Sequence, residues 1–106
     1  MKLEKQTKKS IEWIRQNFPG LPSDYLSWMR DIGWGEHTNG YMIYSGPSPG
    51  ETISTELEEM VVVADDMAGY QVGYIKIEGV WRFVGVDSCG WEIEELRETF
   101  TEYMDR

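Results

Sequence analysis

Cysteine is nearly missing from this 106-residue chain, where Cys89 stands alone. A single thiol forms no internal disulfide and supplies no zinc-finger ligand set, so a disulfide scaffold and a structural zinc module are both excluded. Proline is scarce, with four residues, and the ten basic residues are outnumbered by nineteen acids. The resulting net charge of −9 and isoelectric point near 4.5 argue against nucleic acid or an anionic membrane as partner, because both need a basic surface. No run of about 18 apolar residues occurs, so no segment reads as a membrane helix. Residues 1–9 are charged and lack the apolar stretch of a signal peptide. The expectation is a small soluble protein of the cytoplasm, without cofactor or metal, a monomer or weak dimer.

What is present is enough for one core. The chain is 41% hydrophobic and 13% aromatic, which argues against disorder. Its length suits one domain, residues 1–106, and folding at this size removes roughly 65% of the unfolded surface. The charge is uneven. Residues 1–50 hold six bases and five acids, whereas residues 51–106 hold four bases and fourteen acids. In a chain this short, that asymmetry predicts an acidic face on one globule.

Periodicity predicts the elements. Ile11, Ile14 and Phe18 form one helical stripe, which Pro19-Gly20 ends. A second helix starts at Pro22-Ser23, with Ser23 as its cap, and presents Tyr25, Trp28, Met29 and Ile32 before Gly33 and Gly35 stop it. Residues 41–44 read as a short strand, residues 45–50 as a Gly/Pro loop, and residues 51–59 as either a short helix or an irregular acidic crossing. Three strands follow, over Val61–Ala64, Tyr70–Ile77 and Val80–Val86. The two-residue link Glu78-Gly79 predicts a hairpin pairing Ile77 with Val80 and Tyr74 with Phe83. One hairpin face then carries Ile75, Ile77, Val80, Val84 and Val86, and the other Tyr70, Val72, Tyr74, Trp81 and Phe83. The aliphatic face is expected under helices, and the aromatic face as a second core layer or a partly open surface. Ile93, Leu96, Phe100, Tyr103 and Met104 predict a final helix with glutamates outward. The fold class is therefore α+β: two N-terminal helices, a mainly antiparallel sheet with a central hairpin, and a C-terminal helix packed on the sheet.

Several segments resemble SUKH-superfamily domains. Leu21-Pro22-Ser23-Asp24-Tyr25-Leu26 resembles that family's "LP-x-D/E-Y" lead-in to the second helix, and Gly33-Trp34-Gly35-Glu36 its Gly-rich exit. Ala64–Tyr70 looks like the family's strand, turn, strand segment, with Met67-Ala68 where a glycine is common. Leu96, Thr99 and Phe100 resemble its terminal "L-x-x-S/T-F" element. The resemblance implies a non-enzymatic α+β domain that binds protein: in bacteria an immunity protein neutralising a cognate polymorphic toxin, often a nuclease, and in fungi a cell-wall regulator.

No enzyme motif competes with that reading. Cys89 and His37 lack the surroundings of a nucleophile–base pair, and a lone cysteine beside a turn is structural by default. Asp65, Asp66 and Asp87 gather near strand ends, yet without the alternating oxygen ligands of a calcium loop. Gly69 and Gly73 form no phosphate loop and read as a turn residue and a strand position that makes room for a large neighbour. A small hydrolase built on an acid pair is the remote alternative, and a regulatory interaction module of the same fold the nearer one. The candidate partner-binding set combines acids, Glu56, Glu58, Glu59, Asp65, Asp66, Asp87, Glu92 and Glu95, with aromatics near glycines, Trp34, Tyr41, Tyr44, Tyr70 and Trp91. Clustered acids speed encounter with a cationic partner such as a nuclease domain, and Trp and Tyr often anchor interfaces.

Overall fold

The structure is a computed structural model that describes residues 3–105. In chain order it contains α1 (Lys8–Asn17), α2 (Ser23–Asp31), β1 (Gly35–Glu36), β2 (Met42–Pro49), β3 (Met60–Asp65), β4 (Tyr70–Ile77), β5 (Val80–Asp87), β6 (Ile93–Glu95) and α3 (Phe100–Asp105). The fold is α+β, and the strands form one antiparallel sheet in sequence order, β1 through β6.

Both N-terminal helices form where periodicity places them. The Thr7 hydroxyl caps α1 by accepting from the Ser10 N–H at 3.1 Å, a bond worth about 1 kcal/mol. Ser23 does not cap α2, contrary to expectation. Pro22 holds the cap position in an extended conformation, and Ser23 is the first helical residue. Asp24 in that first turn faces the helix's positive end, and its carboxylate accepts from the Thr101 N–H at 3.1 Å, tying α2 to α3. Tyr25, Leu26, Trp28 and Met29 are buried, but Ile32, at the C-cap, has turned outward and is 41% exposed.

The central hairpin has the expected register, with Ile77 opposite Val80 and Tyr74 opposite Phe83. Its turn residues both lie at positive φ, Glu78 at 52° and Gly79 at 81°, as a type I′ turn requires. Two expectations are corrected, and the open reading of residues 51–59 is decided. Residues 45–49 are not a loop but the outer half of β2. The register on β3 jumps from Ile43/Ala64 to Ser48/Val62, so the four residues from Tyr44 to Pro47 stand against Val63 alone in an irregular bulge while the strand continues. Residues 51–59 contain two single tight turns, Gly50–Thr52 and Thr55–Leu57, with no α-helix. The final helix begins only at Phe100, because Ile93–Glu95 pair with Val84–Val86 as β6. The unpaired outer edge of β5 offers hydrogen bonds that helical periodicity in a short segment does not outweigh.

The two faces of the hairpin divide as the register demands, but their covers are reversed from expectation. The aromatic face packs under the helices: Phe100 meets Tyr25 at 5.1 Å between ring centroids, Trp28 at 5.6 Å and Phe83 at 6.1 Å, all edge-on. Edge-to-face pairs each add about 0.5–1.5 kcal/mol beyond burial. The aliphatic face is covered by Leu57 from the turn segment and by half-buried Trp91, over Met60, Val62, Val84 and Val86. The helices themselves carry Tyr25, Trp28, Phe100 and Tyr103, so large rings meet large rings, and the short irregular segment covers the smaller side chains.

Candidate partner-binding surface

Two chain reversals build one acidic end of the sheet. At the β3–β4 turn, the Asp65 carboxylate accepts from the Met67 N–H at 2.7 Å. Asp66 accepts from the N–H groups of Ala68 at 2.8 Å and Tyr70 at 3.0 Å. At the β5–β6 turn, Asp87 accepts from the Cys89 N–H at 2.8 Å. Aspartates here close turns, which accounts for their positions locally. Because Tyr70 pairs with Asp87 across the ladder, the two turns lie side by side. Tyr70, Asp87, Cys89, Glu92 and Glu94 line a recess of about 360 Å³. The Tyr70 hydroxyl donates to Glu94 at 2.6 Å. Tyr70 lies over Gly85, where an added Cβ would meet its hydroxyl.

Glu56, Glu58 and Glu59 sit elsewhere. They are exposed and precede β3, at the opposite end of the sheet beside the β4–β5 hairpin turn. With Leu57, Met60, Ile75 and Ile93 they border a second recess of about 280 Å³. Glu95 pairs with Arg82 at 3.4 Å, with both side chains at least half exposed, so the pair contributes little to stability.

The aromatics divide likewise. Tyr70 belongs to the acidic recess. Tyr44 and Trp91 pack against the aliphatic-face core, and the Tyr44 hydroxyl donates to Asp65 at 2.5 Å. Burial, then that bond to the carboxylate, raises the Tyr44 hydroxyl well above the ordinary tyrosine value. Trp34 and Tyr41 pack against the helix-side core instead. Glu4 and Trp34 exchange backbone bonds at 2.9 and 2.8 Å, and the Tyr41 hydroxyl meets that of Tyr103. The structure thus gathers Asp65, Asp66, Tyr70, Asp87 and Glu92 at one end. It sets Glu56, Glu58 and Glu59 at the other, while Tyr41, next to the Met42–Asp65 pair, comes within electrostatic reach of Asp66 and Tyr70 at the first.

The remaining candidate chemistry separates. His37 is half-buried: its ring stands edge-on to Trp28 at 5.4 Å, and Nε2 lies 3.1 Å from the Met104 carbonyl. Cys89 is exposed in the acidic recess. Among the described residues no three His, Cys, Asp or Glu side chains are placed to hold a metal ion, and no helix is long and apolar enough to cross a membrane. A further recess of about 550 Å³ lies between α1 and β2, bordered by Gln6, Ser10, Trp13, Tyr44 and Pro47.

Sequence reasoning missed Glu94, assigned to a helix surface, and the exposure of Met67, Ile77 and Val80. The alternation Glu92, Ile93, Glu94 was the available signal for β6, since period two places Glu92 and Glu94 on one side. No known protein family, curated protein or solved structure matches the chain.

Proposed function

We propose that this chain is a non-enzymatic, cytoplasmic immunity protein that binds and neutralises a cognate toxin domain through its acidic, aromatic-containing surface. One observation carries the reading. Glu56, Glu58, Glu59, Asp65, Asp66, Asp87 and Glu92 have no basic group within 4.0 Å among the described residues, and of the candidate acids Glu95 alone pairs with one, Arg82. Carboxylates left without internal cations keep their field for an external one, and such a field raises association rates with a cationic partner. A nuclease fits as the toxin, because its substrate groove is cationic and carboxylates stand in there for phosphates. The resemblance of the α2 lead-in, its Gly-rich exit and the terminal Leu96–Phe100 segment to SUKH domains supports the same class.

The test is recovery of the tagged chain from its own host at native level, at low and high salt. The expected result is one large multidomain partner with a basic toxin-like end, lost at high salt. Neutralising the unpaired acids by Glu→Gln and Asp→Asn changes, which keep the turn-closing acceptors, is expected to grade its affinity. A partner held equally well at high salt, or only a set of signalling proteins, refutes the reading.

A further inference from the structure

The aliphatic face of the sheet is covered at one end only. Leu57 and Met60 are fully buried and Trp91 is half-buried over Val84 and Val86. Toward the hairpin turn the cover stops. Ile75 is half-buried, Ile77 is 47% exposed and Val80 54% exposed, and the register puts all three on this face. Ile77 and Val80 are directly opposite each other, so the exposed groups form one strip. Glu56, Glu58 and Glu59 line a recess with Met60 and with Ile75 at the inner end of that strip, and none has a basic group within 4.0 Å among the described residues. Glu78 stands at the turn itself.

We propose that this open end of the sheet docks a basic amphipathic segment of a partner protein. Its apolar side chains would lie on Ile75, Ile77 and Val80, with lysines or arginines facing Glu56, Glu58 and Glu59. The inference rests on the cationic-partner reading above and locates its contact at the hairpin end, away from the Tyr70–Asp87–Glu94 recess. Charge complementarity selects the occupant. A second copy would set glutamates against glutamates, and an anionic lipid surface or nucleic acid is repelled by the same charges. An apolar strip with an ionic rim is also the common arrangement of an interface, where the dry centre supplies affinity and the rim supplies rate.

The test is an amide NMR titration of the whole chain with a synthetic lysine–leucine amphipathic peptide as the probe. A peptide of the same composition with its period scrambled serves as control. The expected shifts cluster in Glu56–Val61, Ile75–Arg82 and Ile93–Glu95, and the scrambled peptide produces weaker ones. Ile77→Ser with Val80→Ser is expected to weaken binding roughly tenfold, with the salt dependence retained, since each side chain loses about half of its apolar contact. Glu56→Gln with Glu58→Gln and Glu59→Gln, isosteric and exposed, is expected to flatten the salt dependence. Shifts centred on the Tyr70–Asp87–Glu94 recess overturn this docking surface while leaving the cationic-partner reading standing. Unchanged affinity in the serine variant, absence of saturable binding, or self-association across this face in the free chain also overturns it.

Discussion

Two strand glycines that look alike in sequence are expected to respond to alanine with opposite signs. Gly73 lies in the middle of β4, where the β3 register slips between Val62/Gly73 and Ala64/Val72. That irregularity brings the β3 backbone down on Gly73. An added Cβ would stand 1.9 Å from the Val61 carbonyl oxygen and 2.9 Å from the Val62 Cα. Backbone in the centre of a six-stranded sheet has no flexible end to swing aside, so Gly73→Ala separates two strands or unmakes part of their ladder. Overpacking of this kind costs about 3 kcal/mol, the upper part of its usual range. Against a total stability of roughly 5–15 kcal/mol for a chain of this length, that is a large fraction. Gly46, in the β2 bulge, is the control. An added Cβ there meets only the Ile14 side chain, at 3.8 Å, which is ordinary contact. Gly46→Ala therefore removes unfolded-chain freedom at no steric cost and stabilises by about 0.5 kcal/mol. Urea denaturation followed by tryptophan fluorescence separates the two. With an m value of about 1.5 kcal/mol/M, Gly73→Ala lowers the midpoint by about 2 M. Gly46→Ala raises it by about 0.3 M on the same m value. Equal midpoints for the two variants, or a Gly73→Ala loss below about 1 kcal/mol, would refute the argument from backbone approach.

Glu78 occupies the first positive-φ position of the type I′ turn, which suits asparagine far better. Glu78→Asn is expected to stabilise by about 0.5–1 kcal/mol, read as a higher midpoint in the same urea assay, and a lower midpoint would show that the side chain is held by something beyond the turn. Tyr25, Tyr41, Tyr44 and Tyr74 all have hydroxyls raised above the ordinary value near 10.0, with burial the largest cause in each. A native state that holds its protons more tightly than the unfolded chain is fully stabilised below pH 10 and loses that stability as pH rises further. Tyrosinate absorbance is therefore expected to lag and then rise together with loss of near-ultraviolet dichroism. Simple titration of all six tyrosines near pH 10 in a still-folded chain would contradict the burial argument.

Local sequence carried the elements whose partners are near in the chain. The stripe of Ile11 and Ile14 with Pro19-Gly20 after it placed α1, and Glu78-Gly79 between two β-branched runs placed the hairpin and its register. Both rest on short-range rules of period and turn geometry, which act before any tertiary contact forms. The same rules misplaced residues 45–49 and 93–95. Glycine and proline in β2 mark a bulge within a strand, and the edge of β5 recruits Ile93–Glu95 into the sheet although their spacing also suits a helix. Those outcomes depend on hydrogen-bond partners distant in sequence.

The candidate surface shows the same division. The excess of acids in residues 51–106 and the glycines flanking aromatic residues are properties of composition and order, and the partner proposed above rests on them. Whether those acids form one patch was settled by topology. An antiparallel sheet in sequence order sends alternate turns to opposite ends, so the aspartates of the β3–β4 and β5–β6 turns meet. Glu56, Glu58 and Glu59 end up beside the β4–β5 turn instead. The sheet's two faces divide the aromatics in the same way. Alternation along each strand fixed which side chains share a face. The sizes of the rings on α2 and α3 decided which face the helices would cover, and with it which strip of isoleucine and valine was left open.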